Sequence, residues 1–325
     1  MVPARTLTLV LLALVLLAAC RRDAGVDAAA EAARARAQAQ FDASEQAWRA
    51  QRRAELTRPD GWTSLVGLHW LEPGTHRVGR DTDNGIRLQM GPAHLGVFTV
   101  AKGRVSFVAD VPVTLDGRPA RGGVLRSDAS PAGPSVIGFD DGQGQALVIA
   151  RGDRLALRVR HAQAPTRLGF AGIAYWPGGP QWRIPARFIA HDPVRTLPVV
   201  DITGNTQPIR NPGEVEFRIA GTPYRLQALD QGEGSLFLVF ADRTSGHGSY
   251  PAGRFLDAPL PDAKGRLVLD FNRAYNPPCA FTPFATCPLP PPENRLDVAI
   301  RAGEMAYHPR ADAATATATA GDASR

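Results

Sequence analysis

Two stretches near the C-terminus gather most of the side chains that could do chemistry. The first holds Asp242, Thr244, His247, Tyr250 and Arg254. The second holds Asp270, Asn272, Tyr275, Glu293, Asn294 and Arg295. The runs 235–240 and 266–271 read as strands, and if these are neighbours the loops after them meet. His247 could then serve as a base, Asp270 or Glu293 as an acid or an orienting group, and Arg254 or Arg295 as a clamp for an anion. The alternative is a set of buried hydrogen bonds and ion pairs that fasten an irregular loop. No nucleophile-base motif is visible, and this favours fastening. Within the second stretch, between Tyr275 and Glu293, lie Cys279 and Cys287, among Pro277, Pro278, Pro283 and Pro288. A cysteine pair in an exported chain reads as a disulfide. A redox or metal pair and a pair of unbonded buried thiols remain open, although the spacing is not Cys-x-x-Cys.

Other chemistries are missing. There is no Gly-x-Ser-x-Gly elbow, Walker loop, His-Glu-x-x-His or complete dinucleotide fingerprint. The seven histidines are far apart in sequence, with no helical pair spaced for a metal. No metal and no cofactor is expected. The chain is basic, at a formal +6, but Lys occurs only at 102 and 264, and the arginines are scattered. Nucleic acid is therefore not an expected partner.

Elements must hold these residues in place. Of 325 residues 44% are hydrophobic and 21% charged, an ordinary globular balance. Residues 27–56 are rich in Ala, Arg, Glu and Gln, and Phe41, Trp48 and Leu56 form a thin stripe, which predicts a helix. From Gly61 onward short β-like runs alternate with Gly, Pro and Asp turns. Examples are 97–101, 105–108, 146–150 and 155–159, and a hairpin over 214–229 turns at Gly221-Thr222-Pro223. The fold class expected is mainly β: two sandwich- or barrel-like units preceded by an N-terminal helix. The expected segments are a signal peptide (1–19), a lipidated tether and helix (20–57), an N-terminal β unit (58–162), a C-terminal β unit with the Cys/Pro-rich loop (163–310) and a disordered tail (311–325).

The N-terminus carries an address. Arg5 precedes the apolar run Leu7–Leu17, too short to span a bilayer. Leu17-Ala18-Ala19-Cys20 resembles the bacterial lipobox, in which the Cys thiol receives the lipid. That resemblance implies a lipoprotein anchored in the cell envelope through Cys20, with the periplasmic face of the outer membrane favoured because Arg21, not Asp, follows. The partners implied are the membrane and an unknown small ligand or envelope protein.

Two further resemblances concern the body. Gly79-Arg80-Asp81-Thr82-Asp83-Asn84-Gly85-Ile86-Arg87-Leu88 resembles the opening of a forkhead-associated domain, a β-sandwich that reads phosphothreonine. Arg80 matches, but no Ser precedes His94, so the phosphate pocket is incomplete. The stretch from Asp270 to Leu296, with Pro59-Asp60-Gly61-Trp62, Leu68-His69-Trp70-Leu71 and Gly253-Arg254-Phe255-Leu256, closely resembles the bacterial family called domain of unknown function 1684. The likeness runs from about Trp48 to Glu304. It implies a class without a reaction. The expected function is that of a binding or scaffolding module, with a hydrolase or lyase using His247 and Asp270 or Glu293 as the alternative.

Overall fold

The structure is a computed structural model that describes residues 4–230, 232 and 234–309, with the backbone alone described over 4–28. The expected tail, 311–325, and the Cys20 side chain lie outside the described residues. The chain divides into two compact units, residues 1–50 and 51–325.

Helix α1 (Ala4–Leu56) makes up the described part of the first unit and ends in the second. The stretch after Cys20, expected to be a tether, is helical. Its composition offers Ala and Arg and no proline, so nothing interrupts the backbone ladder. In the second unit Leu56 is buried with Phe170 and Phe281, and Thr63 Oγ1 donates to the Leu56 carbonyl at 2.6 Å, closing the helix end.

The second unit contains two β bodies. The first is built from β1 (Leu65–Leu71), β2 (Gly74–Gly79), β3 (Ile86–Arg87), β4 (Gly96–Ala101), β5 (Arg104–Leu115), β6 (Arg118–Leu125), β7 (Val136–Phe139), β8 (Gly144–Arg151) and β9 (Arg154–His161). They form one nine-stranded sheet in the order β1-β9-β8-β7-β5-β4-β2-β3, with β6 beside β5. The sheet curls into a nearly closed barrel. Its interior holds Val78, Phe98, Phe107, Ile137, Val148, Leu157 and Val159. These come from alternate positions of their strands, as a two-residue period requires. The other face of β1, β8 and β9 is also apolar in part, with Leu68, Trp70, Leu147, Ile149 and Ala156 in one cluster. The forkhead-associated likeness is not confirmed. The 79–88 segment is the turn between β2 and β3, which pair in parallel over two residues.

After helix α2 (Pro165–Leu168) the second body begins. It comprises β10 (Arg183–Val200), β11 (Thr206–Ile219), β12 (Thr222–Ala228), β13 (Ser235–Phe240), β14 (Arg254–Pro259) and β15 (Arg266–Asp270). A half-barrel sheet runs β12-β11-β10-β15, and β13 and β14 pair separately. One core draws on both sheets: Val215, Phe217, Leu226, Leu238, Phe240, Leu256, Leu269 and Phe271. The expected hairpin over 214–229 is β11-β12, in continuous register from Gly213↔Ala228 to Ile219↔Thr222.

Beyond β15 the chain makes no further strand among the described residues. It wraps the second body as short turns joined by single bridges, Phe255↔Tyr275, Asp201↔Pro288 and Ala241↔Arg295. Proline-rich chain lacks donors for a ladder, so side chains and isolated bridges must hold it. Cys279 and Cys287 lie in this segment as free thiols, not as the disulfide expected from sequence. Their contact is a hydrogen bond: the Cys279 amide donates to Cys287 Sγ at 3.0 Å.

Candidate functional site

The residues flagged in the sequence fall into three groups. The first is a buried ion pair. Arg254 on β14 and Asp242, just after β13, are both fully excluded from solvent, with Arg254 Nη2 3.3 Å from Asp242 Oδ1. Arg254 also donates to the carbonyls of Ile300 (3.0 Å) and Ala302. Asp242 accepts from the Ile300 amide at 2.6 Å and from the Thr244 hydroxyl at 2.9 Å. Burial pushes the Arg254 guanidinium below its ordinary range, and the facing Asp242 opposes that shift.

The second group braces chain against chain. Asn294 is fully buried; its Oδ1 accepts from the Gln227 amide at 2.7 Å, and its Nδ2 donates to the carbonyls of Gln227 and Val239. One amide therefore joins β12 to β13. Asn272 accepts from the Gly179 amide at 2.9 Å and returns a bond to the Gly179 carbonyl at 3.0 Å, while Asp270 accepts from the Asn272 side chain. Asp270 also pairs with Arg183 and Arg273. Tyr275 donates to Asp257 at 3.0 Å and lies under the Arg52 guanidinium. Glu293 and Arg295 are exposed on the turn that carries Asn294.

The third group faces open space. His247 sits at the rim of a cleft of about 520 Å³ whose lining includes Trp176, Gln181, Trp182, Arg243, Thr244 and Arg301. The His247 ring is bonded through Nδ1 to the Ser245 carbonyl at 3.3 Å. Asp270 and Glu293, the suggested acids, are not among the lining residues. The structure thus brings His247 and Thr244 to one cleft, and uses Asp242, Arg254, Asp270 and Asn272 to hold its walls.

Those walls are built in a legible order. Trp176 Nε1 donates to Ser249 Oγ at 3.0 Å, and Ser249 Oγ lies 2.8 Å from Thr244 Oγ1, which is bonded to Asp242. The indole is thereby tied to the buried ion pair. Gly248, at φ +109°, permits this: a Cβ there would lie 2.6 Å from the Trp176 ring. On the opposite side Asn272 clamps Gly179 in the loop between the two tryptophans. Arg243 pairs with Asp297 at 2.6 Å on the surface, and Arg301 has no carboxylate partner among the described residues. The lining contains two indoles and two guanidiniums and no carboxylate. Trp176, Trp182, Arg243 and Arg301 carried no recognised motif. Their one signal is that two of the chain's five tryptophans fall within seven residues of a Gly/Pro-rich stretch.

Tyr250 belongs to a different place. Its hydroxyl donates to the Cys279 carbonyl at 3.2 Å. Burial, with the neighbouring Cys279 sulfur, pushes the phenol above its ordinary range.

A different cluster, unflagged by the sequence, brings Asp81, Asp83 and His94 together with ligand atoms all within 4.8 Å of one another. It lies on the surface beside Arg80 and Arg87.

The class of protein set by these observations is a two-bodied β protein whose second body carries an arginine- and tryptophan-lined cleft braced by a proline-rich wrap. Residues 168–305, which include the second body and that wrap, match the model of the family described as Protein of unknown function (DUF1684). The match is narrower than the likeness read from sequence, and the barrel lies outside it. Among solved structures, the solution NMR structure of an uncharacterized protein from Haloarcula marismortui is similar, at 32% identity over 43% of this chain and 78% of that one, with a TM-score of 0.36. No curated protein matches the chain.

Proposed function

We propose that the protein is a ligand-binding module whose cleft between Trp176 and Arg301 takes a small anionic molecule with a flat or apolar face. The observation that carries this reading is the lining: two indoles, Arg243 and Arg301, His247 at the rim, and no carboxylate to repel an anion. Indole faces supply apolar contact area at low entropic cost, and guanidiniums supply forked donors that fit carboxylate and phosphate oxygens. Arg301 is free to receive the anion directly. Arg243 would exchange Asp297 for the ligand, a small loss because that pair is exposed and worth little in water. The braced Trp176 supports a preformed rather than an induced site.

Titration of tryptophan fluorescence with phosphate esters, sugar phosphates and aromatic carboxylates tests the reading. Saturable quenching that weakens with added salt is the expected result. Arg301→Ala should lower affinity about 10- to 100-fold, the equivalent of one charge-assisted hydrogen bond of about 1.5–3 kcal/mol. A panel without saturable binding, or a hit unaffected by both Arg301→Ala and Trp182→Ala, would remove the cleft from consideration.

The same proposal places the module in the cell envelope, held by lipid on Cys20. Support comes from the residues Leu17-Ala18-Ala19-Cys20 after an apolar run, and from the two-signal requirement that multiple acyl chains meet. Labelling of the expressed chain with a clickable palmitate should mark it with the protein in the membrane fraction. Cys20→Ser should abolish the label and release the protein, and unchanged label would rule the anchor out.

A further inference from the structure

The structure assigns a second chemistry to the proline-rich wrap, independent of the cleft. We infer that Cys279 and Cys287 form a thiol–disulfide exchange pair, with Cys279 the attacking and Cys287 the resolving sulfur, reactive toward the disulfide of a small thiol.

Four observations carry this inference. The two cysteines are in contact without being bonded to each other: the Cys279 amide donates to Cys287 Sγ at 3.0 Å. Their exposures are unequal. Cys287 is 4% exposed within an apolar cluster, whereas Cys279 is partly open to solvent. An incoming disulfide therefore meets Cys279 first, and Cys287 is shielded until a mixed disulfide forms beside it. The contact is held by its surroundings: Pro277, Pro278, Pro283 and Pro288 stiffen the loop, and Tyr250 anchors the Cys279 carbonyl. Finally, a cation stands by. Arg158 on β9 is 5% exposed, has no carboxylate in contact among the described residues, and its Nε has no hydrogen-bond partner. Its charge reaches Cys287, and Nη2 donates to Thr286, the residue before Cys287, at 3.3 Å.

Burial lowers the Arg158 guanidinium pKa to about 10 against the opposing charges of Asp128 and Cys287, and a thiolate formed in this pair adds to that opposition. The electrostatics agree. The Cys287 thiol, hydrogen-bonded to Cys279, holds Cys279 below the ordinary thiol range despite burial, and Tyr250 adds to the effect. Cys287 is pushed up by the same hydrogen bond and by burial. The thiolate is the nucleophile in exchange, so this asymmetry selects Cys279.

The reaction balances as follows. Cys279 Sγ gives its proton to water and attacks one sulfur of a small disulfide, R–S–S–R. The R–S–S–R bond breaks, a Cys279–S–R bond forms, and RS⁻ leaves and takes a proton. Cys287 Sγ then loses its proton and attacks Cys279 Sγ, releasing the second RS⁻. The protein dithiol is oxidised by two electrons and one disulfide is reduced to two thiols.

Oxidised glutathione is the probe, acting on the folded full chain carrying Cys20→Ser so that only this pair can react. Mass spectrometry should show a product lighter by two hydrogens and without attached glutathione. Adding Cys287→Ser should trap one glutathione, mapped to the peptide containing Cys279. Adding Cys279→Ser instead should slow adduct formation about tenfold or more. Cys→Ala versions of both variants, checked by circular dichroism, replace any Ser variant that does not fold. Adduct formation as fast on Cys287 as on Cys279 would overturn the assignment. So would a folded protein that stays a dithiol while its urea-unfolded form reacts.

Discussion

Arg254→Met is expected to destabilise the protein by about 3–5 kcal/mol, the usual cost of removing one partner of a buried pair. The loss comes less from the missing attraction than from what remains. Asp242 stays buried with its charge, still holding the Ile300 amide and the Thr244 hydroxyl, and the carbonyls of Ile300 and Ala302 lose their donor. Urea unfolding at neutral pH measures it. Asp242→Leu should cost a similar amount, since it strands the guanidinium. The double variant should cost clearly less than the two single losses added together, because neither charge is then left alone. Additive losses would mean that the two residues do not act as a pair. A second readout separates structure from site. Because the pair holds Thr244, Ser249 and through them Trp176, ligand affinity at the cleft should fall in Arg254→Met under conditions where the protein is still folded.

The second large effect is a loss of stability in mild acid that traces to one imidazole. His69 on β1 is half-buried, and its Nε2 is shut off from solvent with no hydrogen-bond partner among the described residues. Burial alone pushes its pKa down to about 4 from an ordinary 6.5. The folded state therefore resists protonation that the unfolded chain accepts. The stability at stake is fully present above pH 6.5 and is lost as the pH falls from there toward 4. The whole of it amounts to about 3 kcal/mol at the conversion of 1.36 kcal/mol per pH unit. Urea midpoints at pH 7 and pH 4.5 should move apart in the wild type and much less in His69→Phe. Lowered carboxylates such as Asp60 and Asp116 lose their contributions from 3.8 downward, in more acid conditions. Equal pH slopes in the two proteins would clear His69 of the effect.

How far the sequence reveals this molecule depends on which physical signal each part carries. The 214–229 hairpin could be read because Val215, Phe217 and Ile219 alternate on one strand and Tyr224, Leu226 and Ala228 on the next, around a Gly-containing turn. The barrel strands 97–101, 146–150 and 155–159 could be read as short apolar runs between turn residues. Strand β10 was not, because Pro185, Pro193 and Pro198 with three arginines and no sustained alternation hide an 18-residue strand. Its pairing on both sides, with β11 and β15, is a tertiary fact. At the site, the clustering of Asp242, Thr244, His247 and Arg254 was visible, and so was the choice between catalysis and fastening. What was not visible is that Trp176 and Trp182 return to that cluster from in and beside a Gly/Pro-rich stretch. Gly and Pro mark where a chain turns but not what it turns toward. The cysteine pair was visible as a pair. Its unbonded state and its buried neighbour Arg158, more than a hundred residues earlier, were not.

The wrap after β15 also bears on the order in which the chain can assemble. Thr286 accepts from Arg151 at 2.8 Å and from Arg158 at 3.3 Å, both on barrel strands, while Asn294 and Ile300 are bonded into the second body. The two Thr286 contacts close loops of well over a hundred residues, which makes them late and slow to form. During synthesis the barrel leaves the ribosome long before the segment that caps its outer apolar face. Until Phe284 and Thr286 arrive, Leu68 and Arg158 lack the partners that cover them in the folded protein. The protein is thus most vulnerable to proteases and aggregation before this segment emerges, and the wrap acts as a latch on a barrel already formed.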